Sequence, residues 1–126
     1  MRFTATFLIA ALGLGASTPA LAQAADGKAL FTSRCAVCHW DPAKPGEQVR
    51  MGPGLSGVMG RKAGTHPKFT RYSKAMKAYG QPWNDANLGA YLENPRKVVP
   101  GTIMAFAGLK KPDERAAVIA YLKKPR

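Results

Sequence analysis

Cysteine and histidine are scarce in this chain: its 126 residues hold two of each. A structural zinc site would need all four, and His66 lies far from Cys35, Cys38 and His39. Acid is scarce as well, with seven Asp and Glu against nineteen Lys and Arg, a formal charge of +12. So strong a positive field points to acidic partners. It does not point to nucleic acid, because the cations are spread along the whole chain and no nucleic-acid motif accompanies them. No run alternates for long enough to demand a sheet.

Long apolar runs are also lacking. The longest, Phe7 to Leu14, is well short of the roughly 18 residues of a membrane-spanning helix. Arg2 precedes it, and Pro19-Ala20-Leu21-Ala22 supplies a breaker and an A-x-A site. Residues 1–22 therefore read as an export signal cleaved after Ala22. A retained anchor is the competing reading, and Ser17, Thr18 and Pro19 interrupt it. Residues 23–126 have the length of a single domain, with no linker, repeat or low-complexity segment.

What is present is Cys35-Ala36-Val37-Cys38-His39. Cysteines three apart on a turn of helix project from one side, so both thiols can add to the vinyl groups of one haem. His39 then follows directly as a proximal ligand to the iron. A redox dithiol, a disulfide and half of a zinc site are the other readings of C-x-x-C. The dithiol expects a βαβ pattern that the surrounding sequence does not show. One covalent haem c would form much of the core of so short a chain. It also fits export to the periplasm, since such haems are attached outside the cytoplasm.

Asp26 is placed to cap a first helix that runs from about Gly27 into the haem motif and puts Leu30 and Phe31 on one face. Gly27, four residues before Phe31, would let another helix approach closely. The last segment is the expected partner. It has Pro112 in its first turn, Asp113 and Glu114 at the positive end of its dipole, and Lys123 and Lys124 at the other. Ala117, Val118, Tyr121 and Leu122 form its apolar stripe. Two shorter helices are predicted, Ser73 to Gly80 and Asn84 to Asn94, the second ended by Pro95.

Asp41 to Gly60, rich in Gly and Pro, reads as a loop around the proximal side, with the Pro53 carbonyl available to the Nδ1 hydrogen of His39. Pro53 as a plain turn residue is the alternative. Met104 lies in the loop Pro100-Gly101-Thr102-Ile103-Met104-Ala105-Phe106, where no helical stripe accounts for it. A thioether there would complete six-coordination of the iron and raise its potential relative to two imidazoles. Met51 and Met59 are on the proximal loop, and Met76 is on a helix where core packing is the default. His66, or an open iron position, is the remaining alternative.

Four stretches together resemble the class I cytochromes c, in the soluble branch that includes mitochondrial cytochrome c and bacterial periplasmic relatives. They are Cys-x-x-Cys-His, Gly52-Pro53-x-Leu55-x-Gly57-x-x-Gly60-Arg61-Lys62-x-Gly64, Tyr91-Leu92-Glu93-Asn94-Pro95, and Pro100-Gly101-Thr102-x-Met104-x-Phe106-Ala107-Gly108. The resemblance covers nearly all of Gly27 to Lys124 and implies a small all-α fold wrapped around one haem. It implies His39 and Met104 as axial ligands, Pro53 as the acceptor for His39, and Tyr91 bonded near the Met104 sulfur. It sets Arg61, Tyr72, Ser73, Trp83 and Thr102 around the haem propionates, and Gly27 and Phe31 against Val118 and Tyr121. This chain departs from the pattern near Arg71, where one residue is extra, at Met76, where asparagine is frequent, and at Ile103, where many relatives carry lysine.

A six-coordinate haem suppresses bond-making chemistry and favours outer-sphere electron exchange. The expected function is that of a monomeric periplasmic electron carrier, not an enzyme. A small haem peroxidase or a ligand-binding sensor is the rival. By resemblance, its partners would be a quinol–cytochrome c reductase, a terminal oxidase, a photosynthetic reaction centre or a periplasmic oxidoreductase. Arg34, Arg50, Arg96, Lys97, Lys110 and Lys111 are candidates for the ring of cations that meets them.

Overall fold

In a computed structural model that describes residues 24–126, α1 (Gly27–Arg34) begins where the Asp26 carboxylate accepts the Lys28 and Ala29 N–H groups. The expected export signal and its cleavage after Ala22 lie outside the described residues. Four more helices follow: α2 (Lys74–Tyr79), α3 (Asp85–Glu93), the single turn α4 (Pro95–Val98) and α5 (Pro112–Lys123). Among the described residues the only β pairing is an isolated bridge between Lys62 and Pro82. The chain is all-α.

Local chemistry accounts for the helix ends. Ser73 caps α2 by accepting the Met76 N–H, and Gly80 ends it in the left-handed conformation at φ 49°. Asn84 and Asn87 form a reciprocal capping box at the start of α3. The structure differs slightly at the far end of that helix: α3 stops at Glu93, and Pro95 opens α4 rather than only ending what precedes it. Proline suits a first helical position because the N–H it lacks has no partner there.

Helix α5 lies between α1 and α3. The Cα of Gly27 meets the Ala117 carbonyl so closely that a Cβ would collide with it, and the Phe31 and Tyr121 rings sit 5.4 Å apart. Phe31 is completely buried. Taking such a ring out of water contributes about 2–3 kcal/mol. Val118, Tyr121 and Leu122 are buried as the stripe predicts, and so is Ile119, which it omits. Ile119 reaches toward Gly89 of α3, so α5 buries two faces instead of one.

The 100–109 loop is tied back to α3. The Leu109 N–H donates to the Leu92 carbonyl at 2.7 Å, and Gly108, at φ 109°, lies against the Glu93 carbonyl where a Cβ has no room.

Candidate haem-attachment site

Helix α1 ends one residue before the first cysteine, so the C-x-x-C-H stretch is a hydrogen-bonded turn rather than helix proper. The Cys38 and His39 N–H groups both donate to the Cys35 carbonyl, at 3.0 and 2.9 Å. No disulfide joins Cys35 to Cys38. Burial pushes the Cys35 thiol up to about 11, against Arg34, which lowers it, while Cys38 adds to the rise. A thiol so reluctant to ionise is unlike the attacking cysteine of a redox dithiol. The zinc reading also finds no support, since no group of three or more His, Cys, Asp or Glu able to hold a metal occurs among the described residues.

His39 is buried, and its Nδ1–H donates to the Pro53 carbonyl at 2.8 Å. Burial pushes the imidazole below its ordinary value, and the Pro53 bond opposes that. The neutral ring is the form that binds a metal. A Cβ on Gly52 would lie 2.7 Å from His39 Nδ1, so only glycine lets this strand of the loop lie flat against the ring. With Nδ1 engaged by Pro53, Nε2 is the nitrogen left to meet an iron. Two adjacent thiols and an oriented imidazole therefore fit a covalently attached haem.

The methionines separate by environment. Met51 is 72% exposed, Met76 is buried in the core, and Met59 and Met104 are half-buried against that core. Met104 is the one held in the 100–109 loop: its N–H donates to Thr102 Oγ1 at 3.3 Å, and that oxygen lies 2.8 Å from the Tyr91 hydroxyl. Resemblance implies Tyr91 near the Met104 sulfur; its observed bond is to Thr102. Burial raises the Tyr91 hydroxyl above its ordinary value, with Thr102 opposing, so it stays protonated.

The residues expected around the propionates have partners of their own. Arg61 donates from Nη2 to the Gly54 carbonyl at 2.8 Å and from Nη1 to the Ser56 carbonyl at 3.2 Å. The Tyr72 hydroxyl accepts the His66 N–H at 3.2 Å, and Ser73 Oγ caps α2. Trp83 is buried between Tyr79 and Tyr91, with ring centroids 5.5 and 5.1 Å away.

His66 is buried with both ring nitrogens engaged. Nε2 lies 2.7 Å from Glu47 Oε1, and Nδ1 accepts the Lys68 N–H at 3.2 Å. It has no nitrogen left for a metal. Glu47 escaped the sequence reading, and Arg50, read there only as a docking cation, has a structural role as well. Arg50 donates to the Ala36 carbonyl at 2.7 Å inside the cysteine turn and lies over the Trp40 ring at 5.1 Å. The only glutamate in a loop otherwise rich in Gly and Pro was the available signal for Glu47.

The candidate cationic ring is exposed, and part of it is engaged locally. Arg34 lies 5.8 Å from the centre of the Phe106 ring, Lys110 donates to the Glu93 carbonyl at 2.6 Å, and Lys111 pairs with Glu114 at 3.7 Å.

The family model described as cytochrome c matches residues 24–125. The chain is 48% identical over 110 residues to a cytochrome c of Chlamydomonas reinhardtii, covering 85% of this chain and 96% of that one. It is 48% identical over 115 residues to a cytochrome c2 of Rhodomicrobium vannielii, covering 90% of this chain and 87% of the relative. Among solved structures it resembles cytochrome cH from Methylobacterium extorquens, with a TM-score of 0.71 and 39% identity over 81% of this chain and 98% of that one. Matched over nearly its whole described length and carrying the two thiols that hold haem c, the chain belongs to the cytochrome c family, whose members carry electrons between redox partners and are not enzymes.

Proposed function

We propose that this protein is a soluble periplasmic electron carrier, exported by a leader cleaved after Ala22, that links respiratory or photosynthetic redox complexes through a His39- and Met104-ligated haem. The observation that carries the reading is the 2.8 Å bond from His39 Nδ1 to the Pro53 carbonyl, which aims Nε2 from a turn that also presents Cys35 and Cys38. Haem c bound there supplies a one-electron ferric–ferrous couple. Pro53 orients the imidazole and strengthens it as a donor. Thr102 and Tyr91 brace the backbone at Met104, so the loop needs little rearrangement between oxidation states.

Arg61, Tyr72, Ser73, Trp83 and Thr102 are proposed to line the propionate side, where donors offset the cost of burying carboxylates. No helix of the described residues is long and apolar enough to cross a membrane, which suits a carrier that diffuses between complexes. Loss of Arg2 with the leader takes the net charge from +12 to +11, which suits acidic docking faces on a quinol–cytochrome c reductase, a terminal oxidase, a reaction centre or a periplasmic oxidoreductase. Ferric absorption tests the ligand set. A weak far-red charge-transfer band is expected from methionine on ferric iron, and its absence in the purified holoprotein overturns Met104 as ligand.

A further inference from the structure

One buried ionisable pair has no part in the site as described so far. The His66 side chain is 4% exposed and the Glu47 side chain 22%, and they meet at 2.7 Å. The Lys68 N–H occupies His66 Nδ1, so the ring proton sits on Nε2 and is donated to Glu47 Oε1. The His66 backbone N–H is held separately by the Tyr72 hydroxyl. The imidazole is thus pinned by ring and backbone alike.

Glu47 passes that constraint on. Its other oxygen, Oε2, accepts the Ser56 N–H at 2.9 Å. Burial would raise the Glu47 carboxyl, but the bonds from His66 and Ser56 outweigh it and hold the group below its ordinary value, as a carboxylate. Gly54 lies so close to this carboxylate that a Cβ would occupy the same space. From the other side Arg61 takes the Gly54 and Ser56 carbonyls. The turn 54–56 is therefore gripped by an anion on its N–H and a cation on its carbonyls, immediately after Pro53.

We infer that Glu47 and His66 are positioning residues for the proximal ligand: the imidazole holds the carboxylate, the carboxylate holds the turn, and the turn holds the Pro53 carbonyl on His39. This rests on the reading of His39 as the axial ligand. A peptide free to rock at 53–54 is a poorer acceptor, and a less firmly bonded imidazole is a weaker donor to ferric iron. Loosening the pair therefore raises the reduction potential. A purely structural role for His66 predicts lower stability without that change.

The test uses the holoprotein with His66→Phe, which removes the donor and keeps a ring, and His66→Gln, which keeps an N–H directed at Glu47. The reduction potential and the exchange rate of the His39 Nδ1 proton in the ferrous state are measured by redox titration and NMR. His66→Phe is expected to raise the potential and speed exchange about tenfold, the equivalent of one ordinary hydrogen bond, while His66→Gln stays near the parent. A folded His66→Phe protein with the parent's potential and exchange overturns the inference, as does a Gln variant displaced as far as Phe. Should His66→Phe not assemble, Glu47→Gln decides, because its single amide oxygen cannot serve both His66 and Ser56. The same rise and faster exchange support the pair, and no change overturns it. A parent ferrous spectrum without low-spin histidine-ligated haem defeats the His39 reading itself, before any variant is made.

Discussion

The Tyr121 hydroxyl donates to Asp41 Oδ1 at 2.5 Å, joining the segment just after the haem-attachment turn to α5 across 80 residues of chain. Burial, reinforced by the neighbouring Asp41 carboxylate, pushes the Tyr121 hydroxyl up to about 12. Burial would also raise the Asp41 carboxyl, but the Tyr121 hydroxyl, the Ala43 N–H, Lys44 and Lys28 outweigh it and hold the group below its ordinary value. Tyr121→Phe should cost about 1–2 kcal/mol in denaturant unfolding, with the partly exposed Asp41 carboxylate keeping it at the lower end of charged hydrogen bonds.

That bond has a pH signature. Because the Tyr121 value is raised from 10.0 to about 12, its contribution is complete below 10 and is lost as pH climbs toward 12. Because the Asp41 value is depressed, its contribution is present above the ordinary carboxylate range and is lost as pH falls through the lowered value. Unfolding of the parent and of Tyr121→Phe should therefore converge at both extremes. A constant difference between them across the alkaline range would rule this linkage out.

Replacing Met104 tests the distal side. Met104→Ala should lower the reduction potential and open the iron to carbon monoxide or cyanide, read as a shifted Soret band on addition of either ligand. An unchanged potential and a protein inert to both ligands would remove Met104 from the coordination sphere.

Gly27→Val places two methyl groups where the Ala117 carbonyl already sits. Separation of α1 from α5 should cost about 1–3 kcal/mol, the usual range for overpacking, and lower the thermal midpoint accordingly. Gly46, whose Cβ position faces open space, supplies the control for a glycine that packs against nothing, although its φ of 69° carries its own backbone cost.

Electron transfer to an acidic redox protein should slow as salt is raised, because the surface field of so cation-rich a chain is screened beyond about 8 Å at physiological ionic strength. Stopped-flow rates measured against ionic strength decide this. A flat profile would leave the positive charge without a role in encounter.

How far these features could be read in advance depended on distance along the chain. Asp26, Ser73 and Asn84 mark their helices because a cap bonds residues two or three apart, and Pro112 marks α5 because a first helical position needs no N–H. The Gly52-Pro53-Gly54 signal led to the His39 bond only because an extended, side-chain-poor loop has one flat neighbour to lie against. Ile119 was missed because periodicity reports one apolar face, whereas α5 is covered on two. His66 was weighed only as a metal ligand, since nothing next to it announces a carboxylate 19 residues earlier in the chain.

The sequence by itself determined the covalent chemistry and the starts of four helices. A thiol pair one turn apart with histidine beside it, and a capping side chain beside the N–H it satisfies, are relations within a few bonds of backbone. Only the tertiary structure decided that Asp41 answers Tyr121, that Glu47 answers His66 and that Tyr91 answers Thr102. In a chain with nineteen cations and seven carboxylates, composition allows each acid many partners. Which one it takes is set by the loop that packing brings within hydrogen-bonding reach once water has been excluded.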